Sequence, residues 1–418
     1  MNKIKQLVLV IIGVLSSFIV SSQIITNYTQ TDGLLSNYVE CVAVDINDNI
    51  WFGTAFGVSM YDGSSWTAYD QASYPLMLSN DIKAITATST GDIWIGTDYG
   101  VNQLIDGTTV FPSWESYTTT DGLANNKVTS IDEAPNGDLW FSHSSFSAGV
   151  SVFDGTNWNS YNSPDLPISG VCGTSFDSNG DKWFASPLDG LVYFDGNDFT
   201  NYTVNDGLLS NYSTAICIDN NDNKWLGSSS GMSVVNSSAN QFTTHTIMYS
   251  LPPPDTLNPV VDIAKDSWGR IWTTIYVGYL AEGGVAFWNG NQWLDYDHTD
   301  GLAGPNVNGL AIDSQNNVWV ATTTGVSRIS AVPSNVPENK LERINISPNP
   351  SSSILNISLS NSEIGSITLF DNTGRMIVNY SNILGSSFNV DVSNILPGAY
   401  YLKVLSSAGL NSQKIIIY

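Results

Sequence analysis

The chain has 418 residues, too many for one ordinary domain and enough for a large closed β architecture plus a smaller unit. Only 12% of the residues are charged, and 14 Lys and Arg stand against 38 Asp and Glu, a formal charge of −24. So acidic a surface repels phosphate backbones and anionic lipid, which need concentrated Lys or Arg, and nucleic acid is disfavoured as a partner.

Residues 1–22 read as a signal peptide: Lys3 and Lys5 supply the positive end, Leu7 to Val20 the apolar core, and Val20-Ser21-Ser22 a small-residue cleavage site. The apolar run is 14 residues, short for a bilayer span, and no later stretch approaches the length needed. The expectation is an exported mature chain starting near Gln23, without a transmembrane anchor.

Seven tryptophans then recur at 42 to 47 residues: Trp51, Trp94, Trp140, Trp183, Trp225, Trp272 and Trp319. Around each the text repeats, as in Asp45-Ile-Asn-Asp-Asn-Ile-Trp51-Phe-Gly53-Thr54 with Gly57-Val58. A repeat of this length, rich in short β runs and Gly turns, suits a four-stranded propeller blade. The third repeat shows the strands, here called a to d: Lys127 to Asp132, Asp138 to Ser142, Gly149 to Phe153 and Trp158 to Tyr161. Asn136-Gly137 and Asp154-Gly155 mark the tight hairpins between them. The fold class predicted for residues 23–330 is therefore all-β, a seven-bladed β-propeller.

A propeller must close or leave an unpaired edge. The seventh repeat ends at Ile329 without a fourth strand, while Ile24 to Tyr28 is an orphan run that precedes Asp32-Gly33-Leu34 as other outer strands precede theirs. Ile24 to Tyr28 is expected to complete blade seven. The Trp side chains are expected to pack between blades rather than to stack on ligands. Cys41, Cys172 and Cys217 fall singly in strands a and read as buried small hydrophobes, neither bridged nor metal-bound.

The phased pattern of Gly-Leu, Asn, an alternating strand, Asp-x-x-Gly, Trp-x-Gly-Thr and Gly-Val resembles the two-component regulator propeller repeat family over residues 24 to 329. Repeats four, five and six depart from it at Asp165-Leu-Pro, Asn236-Ser-Ser and Leu251-Pro-Pro-Pro-Asp. Members of that family often form the sensory half of a membrane-spanning histidine kinase. No kinase or response regulator is legible in this sequence, so that activity does not carry over.

Residues 331–343 hold two prolines and no alternation, a linker. Residues 344–418 resume short β runs without the Trp repeat and suit a small Ig-like β-sandwich. Ser347-Pro-Asn-Pro350, Ile367-Thr-Leu-Phe-Asp371 with Gly374-Arg375, Leu396-Pro-Gly398-Ala-Tyr400 and the Lys414-Ile-Ile-Ile run resemble the type A C-terminal sorting domain of the type IX secretion system of Bacteroidota. The resemblance implies export across the outer membrane, with the type IX translocon and sorting machinery as partners and a secreted or cell-surface product. The closing Tyr418 departs from relatives that often end in a basic residue.

In a meander the a-b and c-d hairpins share one face, and the b-c loops and d-to-a crossings share the other. The first is regular; the second varies, with 6 residues from Trp to the next Gly in four repeats but 12 in repeat six. Binding functions concentrate on variable loops held by a rigid scaffold, so the second face is the candidate site. Its candidates are His143 and Phe146 from blade three, Tyr276, Tyr279 and Glu282 from blade six, and Phe56, Asp98 and Tyr99 from blades one and two. Rings and carboxylates at a concave mouth suit an extracellular glycan or peptide.

The rival reading is a propeller lyase or hydrolase with His143 or His298 as acid or base, as in streptogramin lyases, or a purely structural or adhesive surface protein. No nucleophile motif and no metal-ligand spacing appears, so binding is favoured over catalysis. No cofactor and no metal site are expected. Turns such as Asp177-Ser-Asn-Gly-Asp181 leave weak calcium binding open, although Lys182 and Lys224 occupy the place where an EF-hand has Gly.

Overall fold

The computed structural model describes residues 25–105, 113–143, 149–161, 169–249, 258–276, 283–330, 345–359, 363–371, 375–381, 383, 385–406 and 409–418. The proposed signal peptide and linker lie outside these residues. The chain forms two compact units, Met1–Ala331 and Val332–Tyr418.

The first unit contains, among the described residues, seven four-stranded antiparallel sheets. Six are meanders of consecutive strands, as in Val39–Val44, Ile50–Thr54, Gly57–Tyr61 and Trp66–Tyr69 of blade one. The seventh joins Val307–Ile312, Val318–Thr322 and Gly325–Ile329 to the N-terminal strand Ile25–Tyr28. Ile25 pairs with Ile329 and Tyr28 with Val326. Side chains reinforce the clasp, with the Asn27 amide donating to the Gly301 carbonyl at 2.9 Å and the Ser327 hydroxyl to Asn27 Oδ1 at 2.8 Å. Each strand a touches the strand a of the next blade, and that of blade seven touches that of blade one, so the ring is closed.

Packing between sheets explains the Trp period. Trp51, Trp94 and Trp272 are among the largest fully buried side chains, and each strand-b Trp sits in a hydrophobic cluster shared between blades. Burial leaves an indole N–H to satisfy, and the turn aspartate six residues earlier does so. Oδ2 of Asp45, Asp177, Asp219, Asp266 and Asp313 accepts from the indole of Trp51, Trp183, Trp225, Trp272 and Trp319 at 3.0 to 3.1 Å. Oδ1 of the same residues accepts two backbone N–H groups of its own turn, as in Asp45 with Asn47 and Asn49. The acidic turns read above as open to calcium therefore spend their carboxylate oxygens on the fold.

The second unit is a sandwich of two sheets among its described residues. One holds Asn345–Ser347, Ile354–Ser358 and Ser387–Asp391; the other holds Met376–Ser381, Ile364–Asp371, Gly398–Ser406 and Gly409–Ile417. Leu355, Ile357, Ile367, Leu369, Val390, Leu402 and Ile415 form the core, and the Tyr400 hydroxyl closes the Leu396–Tyr400 corner by donating to the Leu396 carbonyl at 2.7 Å. Among the described residues no helix is long and apolar enough to cross a membrane.

Candidate functional site

The irregular face is assembled by two repeated devices. In the b-c turns, the hydroxyl at the end of strand b donates to the Gly carbonyl three residues on and accepts the N–H two residues on: Thr54 with Gly57 and Phe56, Thr97 with Gly100 and Tyr99. This turn thrusts its second residue outward, leaving Phe56 64% and Tyr99 65% exposed. Gly57 has φ +124°, and a Cβ there would overlap the Tyr69 carbonyl, so glycine is required. In the d-to-a crossings, a strand-c side chain accepts the backbone N–H 24 to 27 residues earlier, as Ser59 does from Leu35, Asn102 from Leu78 and Ser151 from Ala124. Both devices hold loops on a rigid sheet.

The face collects exposed apolar side chains. Of twelve large exposed hydrophobic residues described in the propeller, Phe56, Tyr99 and Leu188 are on b-c loops and Tyr38, Leu76, Val204, Tyr212 and Ile247 on d-to-a crossings. Only Ile46, Val261, Trp268 and Leu294 lie elsewhere. Soluble proteins seldom cluster such groups without a use for them.

Between these loops a channel of about 530 Å³ is lined by the first half of strand a from every blade. A β-bulge falls at the second residue of strand a in five blades, at Glu40, Lys83, Thr214, Val261 and Asn308, and all five line the channel. Bulges re-aim side chains, and here they bring extra ones to the axis.

Two carboxyls stand deeper. Burial lifts Asp132 from 3.8 to about 6, against the Ser130 hydroxyl at 2.8 Å and the Thr174 N–H at 3.2 Å, which favour its charge. Burial likewise raises Asp262, which accepts from the N–H groups of Leu310 at 2.9 Å and Ile263 at 2.8 Å. Burial also raises Glu40, opposed by Lys83 at 3.7 Å, whose ammonium also meets Asp81 at 2.9 Å.

Several sequence expectations change here. His143 is not offered to a ligand: it is fully buried, with Nδ1 2.8 Å from the Lys127 carbonyl and Nε2 2.8 Å from Ser151 Oγ. A carbonyl only accepts, so Nδ1 carries the proton and Nε2 accepts from Ser151. Burial holds the ring pKa below its ordinary value and keeps it neutral. His143 is thus a post beneath the loop latch. Cys41 and Cys172 are half-buried and line the channel, Cys41 also packing against the hydrophobic cluster around Trp51 and Ile82, and all three cysteines are free. Burial pushes the thiols up, Cys172 to about 11 and Cys217 to about 12, which makes them poor nucleophiles.

Phe56, Asp98 and Tyr99 stand exposed on the face, with Asp98 4.0 Å from the Lys127 ammonium. Tyr276 is half-buried, its N–H on the Pro259 carbonyl at 3.0 Å. Phe146, Tyr279 and Glu282 lie outside the described residues. His298 is exposed on a d-to-a crossing, with Nδ1 3.2 Å from the Leu302 carbonyl. Among the described residues no group of three or more His, Cys, Asp or Glu is placed to hold a metal ion. Sequence reading missed Tyr38 and Tyr212, although Ser36-Asn37-Tyr38 and Ser210-Asn211-Tyr212 recur at one position.

A closed β ring with an aromatic, loop-built face and a polar axis, followed by a small β-sandwich, defines a two-domain β-propeller protein. The sandwich, residues 345–418, matches the secretion system C-terminal sorting domain, and residues 33–56 and 301–324 match the two component regulator propeller. The chain therefore carries regulator-type propeller repeats and a type IX sorting domain, which marks it for export to the cell surface or beyond.

Among solved structures, the extracellular domain of the hybrid two component system BT3049 from B. thetaiotaomicron aligns at TM-score 0.63 and 16% identity, over 94% of this chain and 57% of that one. PorZ, a surface component of the type IX secretion system of Porphyromonas gingivalis, aligns at 0.56 and 18%, over 93% and 60%. Virginiamycin B lyase from Staphylococcus aureus, solved with quinupristin, aligns at 0.58 and 15%, over 74% and 100%. The chain thus spans 57% and 60% of the length of the first two, and at these identities the likeness is one of fold. No curated protein matches by sequence.

Proposed function

We propose that this exported propeller binds an extracellular ligand, a glycan or peptide, on the face formed by the b-c loops and d-to-a crossings. The observation that carries it is the concentration of exposed rings there, Phe56, Tyr99, Tyr38 and Tyr212, on loops latched to the sheets. Rings offer stacking area at low entropy cost, and Asp98, Lys127 and the channel carboxyls offer directional partners. The buried His143 has both ring nitrogens engaged, which weighs against it as acid or base and leaves His298 as the exposed histidine of that face.

The test is calorimetry of the full chain against polysaccharides and peptides, repeated with a Phe56→Ala, Tyr99→Ala double variant. Both rings are mostly exposed, so their loss should leave stability within about 0.5 kcal/mol while weakening affinity at least tenfold. Affinity equal in both proteins would remove the face from consideration.

A further inference from the structure

The opposite face, where the a-b and c-d hairpins lie, departs from its own rule in two blades, blade two having Thr88 and blade three Ala134 in place of the turn aspartate. In five blades a turn aspartate accepts the indole N–H of the Trp six residues on. Blade three has Ala134 at that position, and Trp140, only 4% exposed, keeps a buried Nε1 without a hydrogen-bond partner. A buried donor left unpaired is costly and calls for an explanation. Beside it, between blades three and four, lies a cavity of about 650 Å³ lined by both Ala134 and Trp140, a volume in the range of small-molecule sites.

We propose that this cleft is a second binding site, for a neutral saccharide unit, one of whose hydroxyl oxygens takes the place of the missing carboxylate and accepts the Trp140 indole N–H. The proposal is independent of the loop-built face. Its wall carries Asn159 and Tyr161 from strand d of blade three and Lys182 from strand b of blade four. The Tyr161 ring lies parallel to Trp140, with centroids 5.9 Å apart and planes 4° from parallel, a platform for the C–H face of a sugar.

Charge selects against an acid. Asp138 and Asp154 line the cleft against the single ammonium of Lys182, so the lining is negative by one, and a carboxylate ligand would be repelled. A polyol avoids that penalty, since its hydroxyls both accept from the indole and donate to carboxylate and amide oxygens. A sugar hydroxyl can therefore do what Asp45 or Asp177 does elsewhere in the ring without bringing a charge.

The decisive variant is Ala134→Asp, which restores the acceptor used in five other blades. The full chain would be titrated calorimetrically with cellohexaose, xylohexaose, laminarihexaose and mannohexaose, with oligogalacturonate as the charged control. At least one neutral oligosaccharide should bind, the galacturonate should not, and Ala134→Asp should weaken binding at least tenfold while holding or raising the melting temperature. Should Ala134→Asp misfold, Asn159→Ala, on an exposed position, should weaken the same ligand severalfold. Weakening by Ala134→Asp or Asn159→Ala, both of which line the cleft, is what assigns the sugar to this site rather than to the loop-built face. Silence toward all four neutral sugars, preference for the galacturonate, or undiminished affinity in both cleft variants would overturn the proposal.

Discussion

Replacing Asp132 by Asn should make the propeller more stable at neutral pH and change nothing in acid. In the folded state the carboxyl titrates at about 6, against an ordinary value of 3.8. A carboxyl so raised holds its proton longer folded than unfolded, so stability is lost as pH rises between about 4 and about 6. At 1.36 kcal/mol per pH unit, ionisation at pH 7 to 8 costs about 3 kcal/mol. Asn avoids the charge and keeps an oxygen for the Ser130 hydroxyl and the Thr174 N–H. Denaturant unfolding of both proteins from pH 3.5 to 8 isolates the effect, because other carboxylates cancel in the difference. The variant should gain about 2 to 3 kcal/mol above pH 7, and the gain should vanish near pH 4. A gain independent of pH, or a loss at pH 8, would refute the claim that burial in the channel destabilises the ionised group.

Three further outcomes follow from the same geometry. Asp177→Ala orphans the Trp183 indole and the N–H groups of Asn179 and Asp181, and should cost about 2 to 4 kcal/mol in urea unfolding; a loss below 1 kcal/mol would mean that water replaces the carboxylate. Tyr28→Ala removes a ring packed on Trp319 at 5.5 Å and Tyr61 at 5.3 Å, and should cost about 2 to 3 kcal/mol and expose the edge of blade seven to protease. His143→Ala should lower the melting temperature by unseating Ser151 and the Ala124 latch while ligand affinity stays within a few-fold; affinity lost with stability intact would return His143 to the binding surface.

The fold was legible because one residue type kept time. A buried Trp on strand b is dictated by sheet packing, so its spacing reports blades, and the orphan run before Asp32 reports the closing strand. The acidic turns were legible as turns, but not their second duty to the indole six residues on, because that contact is made across the a-b turn only once the hairpin has formed. His143 was misplaced for a similar reason. Loop length placed it on the irregular face, yet its burial depended on Ser151 and the Lys127 carbonyl, which approach it only once the sheet is formed. The channel was not legible at all, since a bulge adds one residue without altering the alternation around it.

The clasp of blade seven has a consequence for biogenesis. The first strand of the mature ring must wait, with its hydrogen-bonding edge open, until a partner about 300 residues later has been made. The sorting domain comes later still, at residues 345–418. A polypeptide able to show that address has therefore already acquired every strand its disc requires, so the order of the text itself withholds the export label from unfinished rings.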